Sequence, residues 1–151
     1  MSHPMVARAS AAQATMDAFL DQPFSWKREL GKDCVRLAAF DLKQLGYKPR
    51  LSRGGSYSTA LGARKALKRA GYANIEAALD DLGLARMPWA HHLPGDIEAL
   101  PSDEDWPALG VVVARETVLA FSPHTGLCQL AKPPAEDIRI LWSARPCLKQ
   151  L

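Results

Sequence analysis

Histidine, cysteine and long apolar runs are all scarce in this 151-residue chain. No stretch approaches the roughly 20 consecutive apolar residues that a membrane-spanning helix needs. Residues 1–20 contain no apolar run long enough for the core of a secretory signal, so export by that route is not expected. Three cysteines, Cys34, Cys128 and Cys147, are too few and too scattered for a disulfide scaffold. No CxxC or HxxxH pair frames a zinc site, and the cysteines suit synthesis in a reducing cytoplasm. The four histidines are His3, His91, His92 and His124. Adjacent His91-His92 do not form a preorganised metal site without further ligands. Gly54-Gly55 lacks the Lys-Ser/Thr that a nucleotide-binding loop requires. Neither a metal nor a cofactor is expected.

What remains is ordinary globular material: 48% apolar, 23% charged and 7% aromatic residues, with a formal net charge of +3. Such a chain can bury roughly two-thirds of its extended surface in one domain, which excludes fibrous and wholly disordered readings. The charge is segregated. Residues 43–75 carry eight basic side chains and no acidic one, whereas residues 76–105 carry eight acidic side chains against Arg86 alone. This pattern suits self-association or docking by charge complementarity, or simply a solvated helix face. A nucleic acid is a weaker reading, because the basic stretch has only Tyr47 and Tyr57 for stacking and no recognised motif. Arg50, Arg53, Arg64 and Lys68, with Trp89 and Trp106, are the candidate partner contacts.

Residues 1–9 read as a flexible tail, and residues 10–151 as a single domain without internal repeats. Ser10 caps a short helix to about residue 20, broken by Gln22-Pro23. The strongest helix runs over 33–46, with Asp33 as N-cap, Gly46 just past the end and an apolar stripe of Val35, Ala38, Ala39, Leu42 and Leu45. It places Cys34 in its first turn. A loop over 48–56 leads to a helix over 58–70, with Leu61, Ala63, Ala66, Leu67 and Ala70 inward. Asn74 caps a third helix over 75–82. Strands follow over 95–100, 109–114, 117–121, 127–130 and 138–142, with a two-residue turn at Arg115-Glu116. Asp96 and Glu98 share strand spacing and read as a solvated edge. Helices first and an antiparallel meander second define an α+β domain, the helices packed on a C-terminal sheet.

Cys34 alone raises a catalytic question, because the first turn of a helix favours thiolate over thiol. A cysteine nucleophile still needs a base, normally a histidine held by a third polar group. His91-His92 and His124 fall in loops and turns, so a packing role for Cys34 weighs against a chemical one.

The order of Asp33-Cys34, Pro94-Gly95-Asp96 and the strands over 109–114 and 117–121 resembles the NlpC-type cysteine peptidases of the papain-like group. The resemblance places the family's catalytic histidine at Ala108 and its third polar residue at Ala120, so Cys34 alone remains. The chain is more closely similar to a family of small proteins from tailed-phage and prophage tail modules that resemble degenerate NlpC-like domains. The shared features are Trp26, Asp33-Cys34, Tyr57, Gly62-Ala63, Leu93-Pro94-Gly95-Asp96, Ala108-Leu109-Gly110-Val111, Gly126-Leu127 and Trp142. They span residues 20–145.

This resemblance implies a catalytically inactive structural part of the virion tail tip. Such a part is made in the host cytoplasm and docks to hub, distal-tail and tape-measure proteins. One alternative is a live hydrolase on cell-wall peptide, with Cys34 as nucleophile and His92 or His124 as base. Another is an anionic-ligand or nucleic-acid binder using residues 43–69.

Overall fold

Asp33 opens the helix that organises the core. Its carboxylate accepts from the N–H groups of Val35 and Arg36, satisfying two donors that have no partner inside the helix. The helix, α2, spans Cys34–Gln44, and Gly46 follows it at a φ of 93° that a side chain would resist. Leu37, Ala38 and Leu42 on its inner face are fully buried. Each buried leucine contributes about 2 kcal/mol. A computed structural model describes residues 3–27, 32–49, 59–100, 108–138 and 140–146.

Among these residues four α-helices precede and flank a six-stranded antiparallel sheet, so the chain is an α+β domain. Helix α1 spans Pro4–Phe19, α3 Ala60–Arg69 and α4 Ile75–Asp81. The strands are β1 (Ala85–Met87), β2 (Ile97–Leu100), β3 (Ala108–Ala114), β4 (Thr117–Phe121), β5 (Cys128–Ala131) and β6 (Ile140–Ser143). Their spatial order is β1-β6-β2-β3-β4-β5. The consecutive strands β2 to β5 form a meander, but β6 returns to lie between β1 and β2, so the sheet is not a meander throughout.

The register divides the sheet into two faces of different character. Ile97 lies opposite Val111 and Trp142, and Val111 opposite Leu119. With Ala99, Leu109 and Cys128 they form the near face, packed against α1 and α2 in the main core. Because side chains alternate along a strand, Glu98, Gly110, Val112, Val118, Ala120 and Leu141 belong to the far face. There Val112, Val118, Ala120 and Leu141 form a separate small core under Trp89 and Leu100.

Three sequence expectations need correction. Helix α1 begins at Pro4 rather than Ser10, so residues 4–9, read as tail, are helical. His3 caps it by accepting from the Met5 N–H, and proline at the first helical position already has the required φ. The alanine-rich sequence lacks the apolar periodicity that would have marked this start. Leu61, assigned inward, is 56% exposed. The strand at β1 was not anticipated; its three residues are all exposed and show no alternation.

Candidate functional site

Cys34 is the first residue of α2 and is buried in the core beneath the near face. Asp33 Oδ1 takes the N–H groups of Val35 and Arg36, and Asp33 Oδ2 pairs with the Arg36 guanidinium. Burial raises the Asp33 carboxyl above its ordinary value, against the opposing pull of Arg36. The helix terminus that would stabilise a thiolate is thus already occupied by a carboxylate. Strand β3 packs against α2, and its near-face residues Leu109, Val111 and Val113 are apolar and belong to the main core. Ala108 and Ala120, where the peptidase resemblance puts the histidine and the third polar residue, occupy the far-face register. Even a histidine at Ala108 would project away from α2.

The candidate bases are committed elsewhere or exposed. His92 Nε2 accepts from the Glu116 N–H at 2.8 Å, which leaves the ring proton on Nδ1, 2.7 Å from the Trp89 carbonyl oxygen. Its ring stacks on Trp89, with centroids 4.0 Å apart and planes 12° from parallel. Trp89 packs on the far face, whereas Cys34 packs beneath the near face. His92 therefore ties the β1–β2 connection to the β3–β4 turn, where Glu116 adopts a left-handed φ of 54°. His124 is exposed in the β4–β5 turn. Cys128 is fully buried and its thiol is pushed up to about 12, which makes it inert.

The sequence reading missed a cluster of buried charge. Arg8, from the segment read as tail, is 3% exposed and its Nη1 donates to Asp96 Oδ1 at 2.7 Å and to the Pro94 carbonyl oxygen at 3.0 Å. Asp96 also accepts from the N–H groups of Leu93 and Ala144. Asp41 of α2 lies close by, with neither carboxyl oxygen hydrogen-bonded. Burial, reinforced by the charge of Asp96 and opposed by Arg8, pushes the Asp41 carboxyl well above its usual range. Gly95 makes this approach possible. It has a φ of 91°, and a Cβ there would stand 3.0 Å from Leu45 Cδ1. The Pro94-Gly95-Asp96 motif therefore has a structural role, joining α1 to the residues that follow β6.

Glu98 is buried too, so neither Asp96 nor Glu98 is the solvated edge residue expected from the alternation. Asp96 precedes β2 and bonds to α1, while Glu98 projects to the far face, so the two do not share one side. A Cβ on Gly110 would stand 2.8 Å from Glu98 Oε1. The glycine thus makes room for a carboxyl group that has no hydrogen-bond partner. Burial alone raises Glu98 to about 8.

Of the candidate partner contacts, Arg64 and Lys68 are exposed on α3. Trp89 is half-buried and borders an open hollow of about 350 Å³ with Met87, Ile138 and Leu141. Arg50, Arg53 and Trp106 lie outside the described residues, as does Cys147. No helix among the described residues is long and apolar enough to cross a membrane.

No curated protein and no solved structure matches the chain. A family model described as "Domain of unknown function (DUF6950)" matches residues 5–144. That range takes in α1, the sheet and the Arg8–Asp96–Asp41 cluster, and the chain belongs to the DUF6950 family.

Proposed function

We propose that the chain is a structural component of a phage tail tip, built on a catalytically inactive NlpC-like domain and held in place by neighbouring tail proteins. The reading joins a sequence resemblance to one observation of chemistry. The near face of β3, which packs against the Cys34 helix, carries the apolar side chains of Leu109, Val111 and Val113. A cysteine hydrolase needs an imidazole at hydrogen-bonding distance from its sulfur and a polar group behind it. The β3 residues facing α2 offer no imidazole, and His92 spends both ring nitrogens on backbone partners.

A domain relieved of catalysis can keep its scaffold for docking, since fold and function are separable. The buried charges support that use. They tie α1, the turn before β2 and the segment after β6 into one unit, which favours a rigid part over a hinged enzyme cleft. Antibody-gold labelling of tailed particles assembled with an epitope-tagged chain tests the assignment. Label concentrated at the tail tip is the expected outcome, with particle yield unchanged by Cys34→Ala. Particles that carry no label, or assembly that requires the Cys34 thiol, would overturn it.

A further inference from the structure

His92 holds two separate segments together only while its ring is uncharged. Its Nε2 accepts from the Glu116 N–H at 2.8 Å, and its Nδ1 donates to the Trp89 carbonyl oxygen at 2.7 Å. A neutral imidazole offers one acceptor and one donor, and both are spent here. Protonation at Nε2 fills the accepting lone pair and sets a second N–H against the Glu116 N–H. The contact then changes from a hydrogen bond to a meeting of two donors. Histidine is the side chain whose ordinary change of charge falls between about pH 5 and 8.

What this bond holds is a flap with fixed ends. Residues 88–92 carry a single helical turn, closed by the N–H groups of His91 and His92 on the Pro88 and Trp89 carbonyl oxygens. Before the flap, β1 is paired to β6. After it, the Leu93 N–H bonds to Asp96 and the Gly95 N–H to the Val112 carbonyl oxygen. Between these anchors Trp89 stacks on His92 and packs over Val112, Val118, Ala120 and Leu141. At the other end of the bond, Glu116 has its left-handed φ of 54°, and the β3–β4 register is irregular between Val112 and Ala114.

We propose that His92 is an acid-released latch, whose protonation frees the Trp89 flap and uncovers the small apolar core on the far face of the sheet. Closure needs the uncharged ring, so it is present at neutral pH and lost as pH falls. The charged and titratable groups around His92 are few. Arg115 and Glu116 stand in the β3–β4 turn, and His91 in the flap itself. Asp96, at the far anchor, is held by Arg8. Around the hollow that Trp89 borders, Arg86 is paired with Asp80, and Glu136 and Asp137 precede Ile138. Glu98 on the far face is buried and already protonated in the acid range. It stabilises the fold as a whole toward acid pH, opposite in direction to the latch. A local opening is therefore distinguishable from global unfolding, and the device does not depend on the assembly role.

Nuclear magnetic resonance on the full chain reads each part of the latch. The nitrogen–nitrogen scalar coupling across the Glu116 N–H···Nε2 bond is expected at about pH 7.5 and lost at about pH 5. Over the same interval a soluble gadolinium chelate should broaden the Val118 and Leu141 methyl signals severalfold more strongly. Amides in the middle of α2 should remain as protected as before. His92→Gln removes the titrating ring, so methyl exposure should be the same at both pH values. That holds whether the new amide replaces the acceptor or leaves the flap open. His91→Gln and Glu116→Gln should keep the response of the unaltered chain, because both retain His92 and the Glu116 N–H.

A coupling that persists at the lower pH would overturn the proposal, as would methyls that stay shielded after the coupling is lost. A full pH response in His92→Gln would overturn it by assigning the switch to another group. So would a response that disappears in His91→Gln or Glu116→Gln. Loss of α2 protection together with the coupling would overturn it as well, by showing acid unfolding of the whole domain.

Discussion

Glu98 shows how a single buried group governs a measurable property. Its carboxyl sits at about 8 because burial penalises the charged form and nothing nearby offsets that cost. In the unfolded chain the same group titrates near 4.5. The folded state therefore holds the proton more tightly, and stability falls as pH rises from about 5 to about 8 before levelling off. The raised Asp41 acts in the same direction. Urea unfolding at pH 5.5 and 8.5 should show a loss on the order of 3 kcal/mol at the higher pH. Glu98→Gln should flatten most of that slope, and an unchanged slope in this variant would contradict the assignment. His92 supports a different test. His92→Ala removes the stack on Trp89 and the acceptor for the Glu116 N–H, at a cost of about 1–2 kcal/mol. Hydrogen exchange at the Glu116 amide should accelerate. An amide that exchanges at its original rate would show that the imidazole does not pin the turn.

Individual elements differ in how far the sequence revealed them, and the reasons are physical. Helix α2 was legible because its cap, stripe and terminal glycine all agree, and β3 and β4 because β-branched residues flank a short turn. Strand β1 escaped because three exposed residues of mixed chemistry show no alternation, and their pairing with β6 depends on a partner more than fifty residues away. Strand β6 itself was anticipated, but its place between β1 and β2 was not, since order within a sheet leaves no local trace. The start of α1 was hidden because alanine carries helix propensity without periodicity. At the site, Cys34 at the head of α2 was read correctly. The alternation of β3 could have shown that Ala108 shares a face with Gly110 rather than with Leu109. Asp96 and Glu98 were misread because alternation cannot distinguish a solvated face from a buried one whose carboxyls stay protonated or paired.

Across the whole molecule, the Arg8–Asp96 pair acts as a clasp between the N-terminal helix and the end of the sheet. Breaking a buried pair from one side leaves an uncompensated charge and costs about 3–5 kcal/mol. Arg8→Met should therefore lower the melting temperature sharply, and adding Asp96→Asn should recover part of the loss. Additive losses in the double variant would contradict a coupled pair. The same frame explains why the segregated charge does not amount to two opposed patches. Part of the acidic segment is internal, and the basic helix faces out. The central proposal is that Cys34 stands at the position of a cysteine nucleophile in a domain that does not hydrolyse cell-wall peptide. Release of soluble fragments from purified peptidoglycan by the unaltered chain and by Cys34→Ala, at matched concentration, tests it most directly. The account predicts that neither protein releases fragments above the buffer control. Release by the unaltered chain that disappears in Cys34→Ala would contradict it.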